Sequence, residues 1–350
     1  MKNICIDENN EKQTLLKFLR RLFPESPDGF FFKMLRKKNI TLNGKKAGGK
    51  EILAAGDSVQ IFFSDETFEK LSSAGTNAAE DAFESLLKDD FPTPEIVYEC
   101  PDFLAVNKAA DVLSQKAEKD DISVNEMLLS YVAKKGLITA ESFSRFHPSV
   151  SNRLDRNTSG LLFFALTLKG QQYLTKMLRD RTIRKYYLAI VHGRPEEGED
   201  FSAWLKKDEK TNIVKVRNRA FDGAREIHTG IDILSSSGEF SLLKVHLITG
   251  APHQIRSHLA FLGCPIVFDP KYGEIRQDKK LSAACSPSNQ KTDGKQTDIS
   301  GAGRPFSKAG FRQMLHSYRT IFPDGQTFTA PVPEDMKRFC RNFHLDISRL

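Results

Sequence analysis

The alternation of apolar and polar positions divides the chain into three stretches. In residues 1–63, positions 14–23 repeat apolar side chains at helical spacing with cations between them, and Pro24 and Pro27 close the run. Residues 30–38 read as a second short helix with a basic end. Residues 40–45 read as a hairpin turning at Asn43-Gly44, and 58–63 as a strand after the Gly56-Asp57 turn. Over residues 64–95 the periodicity weakens and Ser72-Ser73-Ala74-Gly75-Thr76 is linker-like, so this stretch is expected to be a flexible joint, closed by Pro92 and Pro94. From residue 96 onward strands dominate: 96–100 and 103–108 around Pro101-Asp102, then 161–166, 184–193, 201–216, 224–234, 239–249 and 313–319. Leu161-Leu162-Phe163-Phe164-Ala165-Leu166 is short, apolar and uncharged, the pattern of a strand buried on both faces. Helices are expected at 124–137, 170–181 and 333–345, and from Gly250 on, with Pro252 in the first turn. Residues 274–310 are polar and aperiodic and read as a disordered surface insertion. With few βαβ alternations, the class is α+β with a mixed, largely antiparallel sheet.

Composition narrows the function classes. The 350 residues are 39% hydrophobic and 28% charged, as in a soluble globular protein, and no apolar run is long enough to cross a membrane. The first residues lack the apolar core of a signal peptide. The five cysteines are scattered without a Cys-x-x-Cys pair, which points to reduced thiols in the cytoplasm rather than disulfides or zinc. The net charge of +7 is unevenly spread. Residues 1–63 carry 12 Lys/Arg against 7 Asp/Glu, residues 64–95 carry 2 against 9, and residues 169–187 carry 6 against 1. Two basic regions flanking an acidic joint suit a polyanion gripped at both ends.

One polar loop concentrates the chemistry. Ser151-Asn152-Arg153-Leu154-Asp155-Arg156-Asn157-Thr158-Ser159-Gly160 leads into the apolar strand and sets Asp155 between two arginines. On these residues alone, Asp155 is either a reactive carboxylate held by a rigid strand or a turn aspartate bonded to its own backbone. His253 and Arg256, three apart, share a face of the expected helix. His253 and His258, five apart, are poorly spaced as metal ligands, and no Gly-rich phosphate loop is present, so neither metal nor cofactor is expected. Tyr186 and Tyr187 point to opposite faces of their strand.

Arg153-Leu154-Asp155-x-x-Thr158-Ser159-Gly160-Leu161-Leu162 resembles the signature of the RluA-type pseudouridine synthases, whose aspartate is catalytic. Lys185-x-Tyr187-x-Ala189-x-Val191-x-Gly193, His253-Gln254-Ile255-Arg256-x-His258, Asn107-Lys108 and residues 263–273 resemble further motifs of that family, in the family's order. Residues 1–63 resemble the small alpha-L RNA-binding domain. The chain departs from the family at Asn152 (His in the family), at Ala109 and Asp111 (Pro and Gly), which should relax that turn, and at Ala251 and Pro252 (Arg and Thr). The resemblance implies three units: an RNA-binding domain at 1–63, the joint at 64–95 and a catalytic domain at 96–350. It also implies a monomeric, cofactor-independent enzyme that isomerises uridines, with large-subunit ribosomal RNA as the first candidate target and transfer RNA as the second. Asp155 is then the catalytic carboxylate and Arg256 its partner. Tyr187 packs against the uracil and takes the proton from carbon 5, its pKa lowered by Lys185 or Arg184. Arg153 fills the gap left by a flipped uridine. Lys108, Lys185, His253, Gln254, Arg36, Lys37 and Lys38 are expected to contact RNA. The competing readings are a catalytically silent RNA-binding protein of the same fold and a nucleoside glycosidase, which would need a second carboxylate.

Overall fold

In the first 63 residues the expected helices and hairpin form one small module. Helix α1 (Leu15–Leu22) starts at Thr14, whose side chain accepts the Lys17 N–H, and α2 (Asp28–Arg36) follows. Asn43 and Gly44 both take positive φ, 51° and 73°, as a two-residue turn between β2 (Ile40–Leu42) and β3 (Lys45–Lys46) requires. With β1 (Lys2–Cys5) and β4 (Ser58–Ile61) these strands form a sheet ordered β1-β4-β2-β3. The helices bury Leu15, Leu19, Phe31 and Leu35 against Ile40, Val59 and Ile61. The computed structural model describes the whole chain except residues 8–9, 24–25, 119–120, 275, 279–280, 282–310 and 349. The insertion expected at 274–310 therefore lies almost wholly outside the described residues.

The joint is a helix, not a flexible coil. Helix α3 (Asp65–Lys88) is capped by Ser64, which accepts the Thr67 N–H at 3.2 Å. Asp65 and Glu66 in its first turn and Lys88 in its last suit the helix dipole. Phe68 and Leu71 pack on the N-terminal core, whereas Phe83 and Leu86 pack on the core of the next domain. Because its two ends are buried against different partners, no single apolar face runs its full length. That is why the helical period is weak in sequence.

From residue 95 the chain builds an eleven-stranded sheet. Its strands are β5 (Glu95–Glu99), β6 (Phe103–Lys108), β7 (Ser149–Val150), β8 (Ser159–Ala165), β9 (Arg184–His192), β10 (Gly198–Asp208), β11 (Ile213–Arg217), β12 (Arg225–Ser236), β13 (Phe240–Leu247), β14 (Leu315–Ile321) and β15 (Thr327–Thr329). The order is β11-β10-β12-β13-β9-β14-β8-β6-β5, with β7 paired to β8 and β15 to β14. Among the described residues only the β14–β8 strand pair is parallel, so the sheet is mixed and largely antiparallel, as expected. Helices α4 (Val124–Lys134), α5 (Ala140–Arg145), α6 (Leu168–Arg179), α7 (Gln254–Phe261) and α8 (Glu334–Asn342) flank it. Strand β8 is buried on both faces: Leu162 and Phe164 meet Met127 and Leu128 of α4, and Leu161 and Phe163 meet Leu174 and Met177 of α6.

The β14–β8 contact positions the site. Gly160 has φ +112°, and a Cβ there would lie 2.2 Å from the Ser317 carbonyl oxygen. Only glycine allows the two backbones to approach so closely. The same Ser317 pairs in register with Tyr187 across β14 and β9. The end of the Asp155 loop and the Tyr187 strand are thereby brought to one spot.

Candidate active site

Residues 151–158 leave β7 as an irregular loop that is tied down at several points. Asn152 Oδ1 accepts the Phe163 N–H at 2.8 Å. Ser114 Oγ accepts the Leu154 N–H and donates to the Leu154 carbonyl, each at 3.0 Å. Lys108 Nζ donates to the carbonyl of Arg156 at 3.0 Å, and also to those of Ala109 and Val112 at 2.7 and 2.8 Å. Arg312 Nη1 donates to the Asn157 carbonyl at 3.3 Å, and Gln313 Nε2 to Thr158 Oγ1 at 2.7 Å. A loop held this way presents its one carboxylate in a fixed place. Asp155 lines a cleft of about 930 Å³, together with Arg153, Lys185, Tyr187, His253 and Arg256.

Arg256 holds one side of Asp155. Its Nη1 donates to Asp155 Oδ2 at 2.7 Å, while Nε and Nη2 bind both oxygens of Asp269 at 2.6 and 2.8 Å. Asp269 is fully buried and also accepts the N–H groups of Lys271 and Tyr272. Burial works against the charge of Arg256, but Asp269 and then Asp155 outweigh it and hold the guanidinium pKa above its ordinary value. Arg256 is thus a fixed, always charged fork between the buried carboxylate of Asp269 and the cleft-facing one of Asp155. Both oxygens of Asp269 are hydrogen-bonded, and among the described residues Asp155 is the one carboxylate lining the cleft, where a glycosidase needs two.

Tyr187 closes the floor beside Asp155. It is 7% exposed and lies beside Ser317, its register partner on β14. The expected lowering of its pKa by Lys185 or Arg184 is not found. Burial pushes the phenol up to about 12, with the nearby Asp155 adding to the rise and Ser317 opposing it. Tyr186 faces the other side of the sheet, where its ring stacks on His246 at 4.9 Å beneath Lys244. The alternation expected from sequence therefore holds, and only Tyr187 reaches the cleft. Among the described residues, no three His, Cys, Asp or Glu side chains come together as metal ligands.

Comparison with known proteins identifies this arrangement. Residues 102–261 match the family model for RNA pseudouridylate synthase. A ribosomal large subunit pseudouridine synthase C of Rickettsia bellii is 31% identical over 73% of this chain and 81% of that protein. The chain belongs to the RNA pseudouridine synthase family. It is thus an RNA isomerase of the RluA type. An uncharacterized RNA pseudouridine synthase of Mycoplasma genitalium is 26% identical over 93% of this chain and 91% of its own. Among solved structures, Human RNA Pseudouridylate Synthase Domain Containing 4 shares the fold, with a TM-score of 0.53 at 19% identity over 79% of this chain and 98% of that one.

Within this pseudouridine synthase the expected RNA-contacting residues separate into two groups. Arg153 is exposed on the cleft wall and Lys185 half-buried in it, while Arg36, Lys37 and Lys38 are exposed at the end of α2. Lys108 and Gln254 are corrections. Lys108 is 1% exposed with all three N–H groups on backbone carbonyls, so it clips the loop instead of reaching RNA. Gln254 is 2% exposed; its amide donates to the His228 carbonyl and Thr229 Oγ1 and accepts from Ala251 N–H and Thr249 Oγ1. His253 is not on a helix face either: α7 begins after it, and His253 takes φ 51° as the cap, with Pro252 outside the helix. It still faces Asp155, with Nε2 4.0 Å from Oδ1.

The departures from the family pattern keep the local geometry. Asp111, where the family has glycine, adopts φ 65°, a conformation that Asp tolerates better than most residues. The turn is therefore not relaxed, and Lys108 holds it to the loop. Ala251 gives its N–H to Gln254, and Asn152 gives its side chain to Phe163, so both replacements are built into backbone hydrogen bonds. Sequence reasoning missed Ser114, Asp269, Tyr272, Arg312 and Ser317. Tyr272 lay within a motif stretch already noted, but the partners that matter to it, Val214 and His253, are distant in sequence.

Proposed function

We propose that this enzyme converts uridine to pseudouridine in large-subunit ribosomal RNA, with Asp155 as its catalytic carboxylate. The observation that carries the reading is Asp155 itself: fixed by its loop, oriented by Arg256 through one oxygen, and open to the cleft through the other. In the reaction the bond from C1′ of the ribose to N1 of uracil breaks and a bond from C1′ to C5 forms. C5 gives up a proton and N1 gains one, so atoms and electrons balance without a co-reactant. Asp155 acts on the ribose or base through its free oxygen. Tyr187 packs against the uracil. Its phenol stays protonated at neutral pH, so it serves as the packing surface for the base and not as a phenolate that takes the C5 proton directly. A stacked uridine is out of reach, and exposed Arg153 at the cleft is placed to replace it in the helix when it flips.

Residues 1–63 act as the alpha-L-type RNA-binding module. Supporting this are the excess of cations and the exposed Arg36, Lys37 and Lys38. The Mycoplasma relative's match, at 93% of this chain, reaches into these residues as well. The ribosomal target is supported by the names of the Rickettsia and Vibrio vulnificus relatives, the latter 28% identical over 79% of this chain. Pseudouridine mapping on total RNA from cells lacking the gene, complemented with wild type or Asp155→Asn, tests the whole reading. The expected result is a missing large-subunit site restored by wild type alone. Restoration by a stably folded Asp155→Asn enzyme would remove Asp155 from the mechanism.

A further inference from the structure

Asp155 Oδ2 is taken by Arg256, but Oδ1 faces His253 Nε2 across 4.0 Å. That is too far for a hydrogen bond, and both side chains border the cleft. What His253 offers to that gap depends on which ring nitrogen carries its hydrogen. Burial pushes the His253 pKa below the ordinary value; Asp155 opposes this, and Arg256 and Lys271 add to it. The ring is therefore neutral near pH 7, with one donor nitrogen and one acceptor.

Tyr272 decides between them. Its hydroxyl lies 2.9 Å from His253 Nδ1 and accepts the Val214 N–H at 2.9 Å. Burial raises the Tyr272 pKa, so the phenol keeps its proton. Of its two partners Val214 N–H is itself a donor, which leaves His253 Nδ1 as the acceptor of that proton. Nε2 then carries the hydrogen, on the side facing Asp155. Tyr272 is held in turn by the turn that Asp269 caps, and by β11, whose hairpin partner Lys207 borders the same cleft.

We propose that Tyr272 fixes the tautomer of His253, so that His253 donates its Nε2–H to an oxygen of the nucleotide bound at Asp155 Oδ1. His253 is then a catalytic residue and Tyr272 a positioning residue whose hydroxyl acts through it, while its ring lies under the Arg256 guanidinium. The proposal rests on the reading of Asp155 as the reactive carboxylate.

The test has two arms. In the first, nitrogen-15 spectra of the full-length wild-type protein, with the His253 signals assigned by their loss in His253→Gln, report the tautomer without any turnover. Hydrogen on Nε2 supports the relay, and hydrogen on Nδ1 overturns it. In the second, single-turnover pseudouridine formation is followed on RNA extracted from cells lacking the gene, at rising enzyme concentration. Tyr272→Phe should lower the saturating rate by about tenfold, the worth of one well-placed hydrogen bond. Its half-saturating concentration should stay within about twofold of wild type, because one hydrogen bond is a small part of what holds a folded RNA and this one strengthens as the nucleotide reacts. His253→Ala should lower the rate at least as far, and His253→Gln, with an amide N–H near the place of Nε2, should recover part of it. The double variant Tyr272→Phe with His253→Ala should be no slower than His253→Ala alone; losses that multiply would show Tyr272 acting elsewhere and overturn the relay. Asp155→Asn is run beside them. Its activity judges the Asp155 reading, while the tautomer judges the relay, so the two fail separately.

Discussion

At the end of α2, Arg36, Lys37 and Lys38 stand in solvent, whereas around the Asp155 loop Lys108, Arg256 and Arg312 are buried to 1%, 4% and 6% exposure. Both groups are clusters of cations in a basic protein, and charge counting treats them alike. The fold separates them by the acceptors each finds. Every N–H of Lys108 meets a backbone carbonyl, Arg256 is shared by two carboxylates, and Arg312 binds Asp335 and three carbonyls. A buried cation without such partners would be prohibitively costly, so burial and full hydrogen bonding arise together. In this chain the buried cations beside Asp155 hold the loop in place, while Arg36, Lys37 and Lys38 stay open to solvent.

The strongest way to break that division is Lys108→Met, which keeps an unbranched apolar stem one atom shorter and removes the donors. Three carbonyls then lose their partner, among them that of Arg156 in the Asp155 loop. We expect the variant to lose about 3 kcal/mol of stability in denaturant unfolding, at roughly 1 kcal/mol for each unpaired carbonyl. Single-turnover activity should fall with it as the loop slackens, while RNA affinity stays near wild type. Unchanged stability with weakened RNA binding would return Lys108 to the phosphate-contacting group.

This outcome also marks how far the sequence could be read. The uncharged run at 161–166, the hairpin at Asn43-Gly44 and the opposed faces of Tyr186 and Tyr187 follow from local rules, and the structure has them. The Asp155–Arg256 pair joins residues 101 apart, and it was reached through family resemblance, not through spacing. What stayed hidden shares one physical cause: the partner is a backbone group or a residue distant in sequence. The acceptors of Lys108 are carbonyls, which every residue carries, so no side-chain pattern marks them. Helix α3 looked like a linker because its buried residues serve two cores in turn. The neighbour of Gly160 is Ser317, across a parallel pairing that skips from β8 to β14.

The exposed group is tested by replacing Arg36, Lys37 and Lys38 together with Gln. None has a buried partner to lose, so the melting temperature should fall by no more than the small contribution of cations at a helix C-terminus. If all three contact phosphates, the plot of log affinity against log salt should become shallower by about 2, at roughly 0.7 per contact on single-stranded RNA. Affinity near physiological salt should fall by roughly tenfold or more. An unchanged slope would mean that the N-terminal module does not grip phosphate through this helix end.

Lys185 lies between the two groups, half-buried at the cleft, and the smallest expected effect concerns what it does to Tyr187. Sequence reasoning made it a cation that lowers the phenol pKa; in the fold, burial raises that pKa to about 12. The two cases differ in sign. An unfolded tyrosine loses its proton near pH 10, so between about pH 10 and 12 the unfolded chain ionises before the folded one. Stability that is fully present below pH 10 is then lost as the pH rises toward 12. Tyr187→Phe removes this loss, and the variant should gain on wild type by roughly 1 kcal/mol between neutral pH and pH 11. Had Lys185 or Arg184 lowered the pKa, wild type would gain stability as pH rose through the lowered value, and the variant would fall behind instead. Denaturant unfolding of both proteins at pH 8 and pH 11 distinguishes the two. A Phe variant that loses ground at pH 11 would place Lys185 with the cations that tune the chemistry, and would make Tyr187 a phenolate base within reach of neutral pH.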